Sequence, residues 1–283
     1  MRFFVSELSR KKDAVRRRLE ELGSVIVALS GGVDSSVLLM LSLEALGRER
    51  VLAVTGVSPS LAARERELAA RVAEGLGAPH ELIDTSELQS PAYRANDGSR
   101  CFHCRSELFE RLAPLAEQRG FDALVYGAIT DDLGDVRPGM EAARRYRVAA
   151  PLLEAGLGKE EVRALAREAG LEVSEKPAMA CLSSRFPVGV EVTEAALRQV
   201  EQAEEALHLQ GFQHFRVRYH GEIARIELGP SDLSRLADPA CRDALVAGVR
   251  EAGFRWVTLD LEGYRPAGTA PSARLLSIGA SED

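Results

Sequence analysis

The chain has 283 residues, 46% hydrophobic and 28% charged, a length beyond which one hydrophobic core usually stops growing, so two domains are expected. A formal net charge of −7 counts against a protein that grips nucleic acid through its phosphates, since such proteins present a basic face. The apolar runs stop well short of a membrane span, and the mixed-charge N-terminus reads neither as a signal nor as a transit peptide. A cytoplasmic protein without membrane or nucleic-acid partners is therefore expected.

Two short apolar runs, 25–29 and 51–57, flank a helical stretch over 35–46, which reads as a right-handed strand, helix, strand unit. A helix over 61–76, a short strand at 81–83, a helix near 104–118 and a strand at 123–126 continue the alternation. This pattern predicts an α/β fold with a doubly wound parallel sheet. After a further helix over 159–169, the stretch 171–192 is weakly periodic and carries Pro177 and Pro187. The domain boundary is placed there, giving a first domain over 1–175 and a second over 176–283. The second reads as a smaller α+β domain: a helix over 193–209, strands at 215–219 and 223–228, a helical region within 231–252 and a strand near 256–261. From about 265 the Ala, Ser, Gly and Pro content predicts a frayed tail, or one ordered by a neighbouring subunit.

The segment Ser30-Gly31-Gly32-Val33-Asp34-Ser35-Ser36 falls between a predicted strand and a predicted helix. Two glycines let the backbone approach a phosphate, the helix start offers free N–H groups, and the serines add hydroxyls. Asp34 would repel a phosphate unless a cation lay between them, so it is the candidate for holding Mg²⁺ on a pyrophosphate. The loop lacks the Lys of a Walker A motif, which argues against cleavage between the β- and γ-phosphates. These residues resemble the SGGxDS signature of the PP-loop ATP pyrophosphatases, enzymes that transfer AMP to a substrate oxygen. Ser58 and Gly127 follow predicted strands at the carboxyl end of the sheet, where open α/β sheets bind ligands, so both join the ATP-binding set.

Four cysteines in a chain of this length make no disulfide scaffold. Cys101 and Cys104 form a C-x-x-C pair at a helix start, and Cys181 lies far along the chain. Such a pair alone fits a redox couple, half a zinc site or part of an iron–sulfur site. Cys241, within a predicted helix, reads as a buried apolar residue.

The stretches 127–139 (GAITDDLGDVRPG), 151–154 (PLLE), 176–187 (KPAMACLSSRFP), 216–220 (RVRYH) and 225–227 (RIE) resemble motifs of the LarE sulfur transferases. The resemblance runs nearly end to end. It implies an ATP-dependent sulfurtransferase that adenylates the carboxylates of a pyridinium dicarboxylate mononucleotide and converts them to thiocarboxylates, for a nickel-pincer cofactor. It also implies one of two sulfur sources: Cys181 itself, left as dehydroalanine, or a [4Fe–4S] cluster held by Cys101, Cys104 and Cys181 and carrying a sulfide. The presence of all three cysteines favours the cluster. A homo-oligomer, trimer-based in the family, is a further implication.

A substrate with a phosphate and two carboxylates suits arginine forks, so Ser184, Arg185 and Arg216 are the candidate substrate residues. Arg218 shares a strand face with Arg216, and Glu227 could orient these arginines or touch a metal. Two other readings stay open: an amide-forming or RNA-thiolating PP-loop enzyme, and a non-catalytic nucleotide sensor that reads redox state through its thiols.

Overall fold

The computed structural model describes residues 2–134, 138–177 and 180–264. The expected tail from about 265 lies outside them, as do parts of the 127–139 and 176–187 motifs. Four strands, β1 (Val25–Ala28), β2 (Val51–Val57), β3 (His80–Asp84) and β4 (Ala123–Tyr126), form one parallel sheet in the order β3-β2-β1-β4. Successive strand side chains point to opposite faces, and each face carries its own core. Val25 and Val27 pack with Val37 and Leu41 of the helix Val33–Leu46 and Val162 and Leu165 of the helix Lys159–Glu168. Ile26 packs instead with Leu52, Val54 and Leu124 and with Phe109 and Leu112 of the helix Arg100–Arg119. A sheet covered on both sides is the doubly wound architecture that the strand and helix alternation predicts.

The helix Val33–Leu46 has no polar face over Val37–Leu41, all of which are buried. A helix apolar all round belongs inside, and this one is covered by a second helix, Arg2–Leu22. Val15 and Leu19, one turn apart, are fully buried on that outer helix, and at roughly 1.5–3 kcal/mol for each such side chain they anchor it. The outer helix is not evident from the sequence, because its charged residues outnumber its apolar ones. The helix Pro138–Arg145 is likewise too short to announce itself.

Two compact units divide the described chain: residues up to 176 together with 181–198, and 199–264 together with Pro177 and Ala180. The stretch 181–198, which the sequence assigns to the second domain, bonds to the first unit. Leu182 N–H donates to Ser60 O at 2.9 Å, Gly189 N–H to Asn96 O at 2.9 Å and Val192 N–H to Arg94 O at 2.9 Å. Asn96 Nδ2 returns a bond to Pro187 O at 2.7 Å. Weak periodicity marks a loop, but only backbone pairing tells which body owns it.

The second unit has three strands, β5 (Phe215–His220), β6 (Ile223–Leu228) and β7 (Trp256–Leu259). β5 and β6 are antiparallel, joined by a turn at Gly221 with φ +65°, and β7 adds in parallel to β6. The crossover between β6 and β7 contains the helix Pro239–Glu251, whose N-cap Asp238 accepts a bond from Ala240 N–H.

Candidate active site

The sheet order puts β1 at the switch point, with β2 on one side and β4 on the other, and the loop Ser30–Ser36 leaves β1 there. Gly31 adopts φ +71°, and a Cβ at that position would lie 3.1 Å from Ala69 N and 3.2 Å from Glu65 O. Only glycine suits such a site, and it lays the loop on the helix Ala63–Gly75. The serines shape the loop. Ser35 Oγ donates to Gly32 O at 3.1 Å, Ser36 Oγ donates to the same oxygen at 2.8 Å, and Ser30 N–H donates to Ser35 Oγ at 3.2 Å. The first turn of the helix then presents its N–H groups to an anion.

Asp34 faces Lys159, whose ammonium lies 2.9 and 2.7 Å from its two carboxylate oxygens. Burial lifts the Asp34 carboxyl above its ordinary range; Lys159 opposes this, and the nearby Asp132 adds to it. Two acids beside a phosphate loop are suitable donors for a hard divalent cation. Lys159 itself is held in place: its backbone N–H donates to Asp131 Oδ2 at 2.9 Å, and Glu161 closes the helix start through Gly158 N–H. Arg163, one turn on, donates to the Lys176 carbonyl at 2.7 Å. Sequence reading missed both Lys159 and Arg163, which are brought to the loop by a helix that is remote in sequence.

Gly127 packs against the loop. A Cβ there would stand 2.7 Å from Ser35 N and 2.8 Å from the Asp34 carbonyl carbon, so its absence of a side chain lets β4 abut the helix start. Ser58 is engaged elsewhere. Its hydroxyl donates to Glu87 Oε1 at 2.5 Å, and Ser60 Oγ donates to the same oxygen at 2.8 Å. Glu87 is buried, and its Oε2 finds no partner among the described residues.

Near Glu87 stands Cys104, and Cys181 and Cys101 lie near Cys104 in turn. Cys101 and Cys104 occupy the first turns of the helix Arg100–Arg119, three residues apart on one face. Cys181 precedes a short turn over Leu182–Arg185 that is pinned from several sides. Tyr93 OH and Ser183 Oγ lie 2.6 Å apart, Arg100 Nη1 donates to Ser183 O at 2.6 Å, and Arg185 Nη1 donates to Cys181 O at 3.1 Å. Cys101 and Cys181 are exposed, and Cys104 is half-buried. Burial pushes the Cys104 thiol far up, and Glu87, Cys181 and Cys101 push the same way. A cation in this neighbourhood would relieve all of these repulsions, and three thiols suit a soft one. Among the described residues no three His, Cys, Asp or Glu side chains stand close enough to hold a metal ion, so the thiols must turn before they can close on one.

The candidate substrate arginines are not free forks. Arg185 is 1% exposed and grips its own turn through Cys181 O and Ser184 Oγ, the latter at 3.0 Å. In the second unit Arg216 is buried with its guanidinium over the Tyr264 ring. Arg218 makes a two-pronged pair with the buried Glu227, at 2.9 and 3.0 Å, and Arg225 pairs with Asp260. Glu227 thus orients arginines, one of the two roles its sequence position allows. Cys241 is half-buried in the helix Pro239–Glu251.

A phosphate-type loop at the switch point of a parallel β3-β2-β1-β4 sheet, with an acid and a lysine at its mouth, defines an ATP-using α/β enzyme of the PP-loop class. A family model described as NAD synthase matches residues 7–103. Over 258 residues the chain is 41% identical to an uncharacterized protein of Synechocystis sp., covering 91% of this chain and 96% of the relative. Over 261 residues it is 36% identical to the pyridinium-3,5-bisthiocarboxylic acid mononucleotide synthase of Lactiplantibacillus plantarum, covering 92% and 94%. An NH(3)-dependent NAD(+) synthetase of Archaeoglobus fulgidus is 38% identical over 91 residues, 30% of this chain and 36% of that one. The chain belongs to the LarE family. No helix among the described residues is long and apolar enough to cross a membrane.

Proposed function

We propose that this enzyme adenylates the carboxylates of pyridinium-3,5-biscarboxylic acid mononucleotide and converts them to thiocarboxylates. The observation that carries the reading is the shared unit: the phosphate loop and the pinned Cys181 turn belong to one compact body, in a chain similar along most of its length to a synthase of the bisthiocarboxylate.

A substrate carboxylate oxygen attacks the α-phosphorus of ATP, the bond to the β-phosphate oxygen breaks, and an acyl-adenylate and pyrophosphate result. Loop N–H groups and Lys159 stabilise the charge that accumulates on the departing pyrophosphate. Asp34, with Asp132 beside it, would hold Mg²⁺ on the phosphates. Arg216, Arg218, which Glu227 orients, and Ser184 are the candidate contacts for the substrate's phosphate and carboxylates. Arg185 is assigned to holding the Cys181 turn.

In the second half-reaction a sulfur atom attacks the acyl carbon and AMP leaves. Cys101, Cys104 and Cys181 would hold a [4Fe–4S] cluster, which when bound supplies a sulfide for transfer. The exposure of Cys181 supports a second source, its own thiolate. In that case the thioester formed on Sγ loses its Cβ–S bond as the Cα proton departs, leaving dehydroalanine.

Mass spectrometry before and after turnover tests both, combined with Cys101→Ser. An intact Cys181 together with loss of multi-turnover transfer in Cys101→Ser supports the cluster. Dehydroalanine at 181 with full activity in Cys101→Ser supports the sacrificial route. ATP cleavage that ignores the dicarboxylate mononucleotide would sink the reading as a whole.

A further inference from the structure

Lys176 reaches the phosphate loop at Gly31, and no step above uses it. Its ammonium lies 3.2 Å from the Gly31 carbonyl and 2.5 Å from Glu65 Oε2. The two side chains are 14% and 18% exposed, so solvent screens their charges poorly. The Lys176 backbone is fixed separately by Arg163, through its carbonyl. Gly31 lies against the helix that carries Glu65, so an anion accepted by the loop arrives beside this ammonium. Such an anion carries at least two charges where Glu65 carries one.

Five residues beyond Lys176 comes Cys181, a tether of at most about 18 Å. The far end of that tether is the turn held by Leu182 N–H on Ser60 O and by Arg185 on Cys181 O. The lysine on the phosphate loop and the sulfur-bearing turn are thus ends of one short strand of chain.

We propose that Lys176 is a ligand of the pyrophosphate half of ATP, exchanging Glu65 for phosphate oxygen when nucleotide binds, and that this exchange stiffens the Cys181 turn. The phosphate loop then reports its occupancy to Cys181, five positions further along the chain. The inference rests on ATP use by the loop and is independent of the sulfur source.

The test is magnesium pyrophosphate binding to the full chain, by calorimetry, with amide hydrogen exchange on the same samples. Lys176→Gln should weaken binding about tenfold or more, the scale of a hydrogen bond to a charged group. Glu65→Gln, which removes the competitor and keeps the shape, should tighten it. Pyrophosphate should slow exchange across 181–186 in the wild type and leave 101–110 unmoved, and Lys176→Gln should abolish that response. Wild-type affinity in Lys176→Gln, no gain in Glu65→Gln, or the same exchange response in Lys176→Gln would each overturn the proposal. Sulfur transfer enters neither readout, so failure of the proposed reaction and failure of this inference remain distinguishable.

Discussion

Lys159 holds both carboxylate oxygens of Asp34, at 2.9 and 2.7 Å, across 125 residues of sequence. The pair sets the charge at the mouth of the phosphate loop. Asp34→Ala should cut pyrophosphate release at least about a hundredfold while circular dichroism stays unchanged, and Lys159→Ala should cost about the same. Normal release by folded Asp34→Ala would remove the acid from the mechanism.

The same pair fixes a pH dependence. The Asp34 carboxyl is raised by burial and lowered by Lys159, and an ionised Asp34 is required if it holds a metal. The acid limb of pyrophosphate release should therefore lie above that of an ordinary carboxylate. In Lys159→Ala only the weaker pull of Arg163 still opposes burial, so the limb should move to still higher pH. A limb that moves down, or stays put, in a pH–rate profile of that variant contradicts the assignment.

Gly127→Ala places a methyl group 2.7 Å from Ser35 N, and backbone at a helix start has little room to retreat. Overpacking of this kind costs about 1–3 kcal/mol. Thermal melting should show that loss, and ATP binding should fall with it because the displaced atoms belong to the loop.

Glu87 accepts hydroxyls from Ser58 and Ser60, and Ser60 O in turn anchors Leu182 N–H. Glu87→Ala removes the acceptor the two serines share and leaves their hydroxyls chiefly each other, 2.8 Å apart, at a cost of about 1–3 kcal/mol in all, and it should raise amide exchange across the Cys181 turn. Glu87→Gln, which keeps an acceptor oxygen, should do so less. Equal exchange in the two variants would mean that the carboxylate oxygen does not hold the turn.

Alkylation of metal-free protein at pH 8 should order the thiols. Cys101 and Cys181 are exposed, whereas the Cys104 thiol is held in its neutral form by burial and by Glu87. Since the thiolate is the nucleophile, peptide mapping should find Cys104 modified last. Early modification of Cys104 would show that the thiol is not kept protonated.

The parallel sheet was legible because buried strands are short apolar runs: β2 and β4 begin and end where their patterns do. The phosphate loop was legible because its glycines and acid are contiguous. Lys159, Arg163 and Glu87 were not, since each acts across a long sequence gap and looks like an ordinary surface charge until the fold closes. Lys176 opens the 176–187 stretch, yet nothing local says that its ammonium reaches Gly31. Arg185 was legible as a residue of the site, but nothing local says that its guanidinium also bonds its own turn, at Cys181 O and Ser184 Oγ.

The backbone bonds that tie 181–198 to the first unit have an evolutionary corollary. The phosphate loop and all three candidate sulfur ligands sit in one compact unit, while the arginine and glutamate sheet belongs to the other. Under the proposed reaction, substitutions confined to that arginine and glutamate sheet would be an economical route to new thiolated products, since they leave the phosphate loop and the thiols in place.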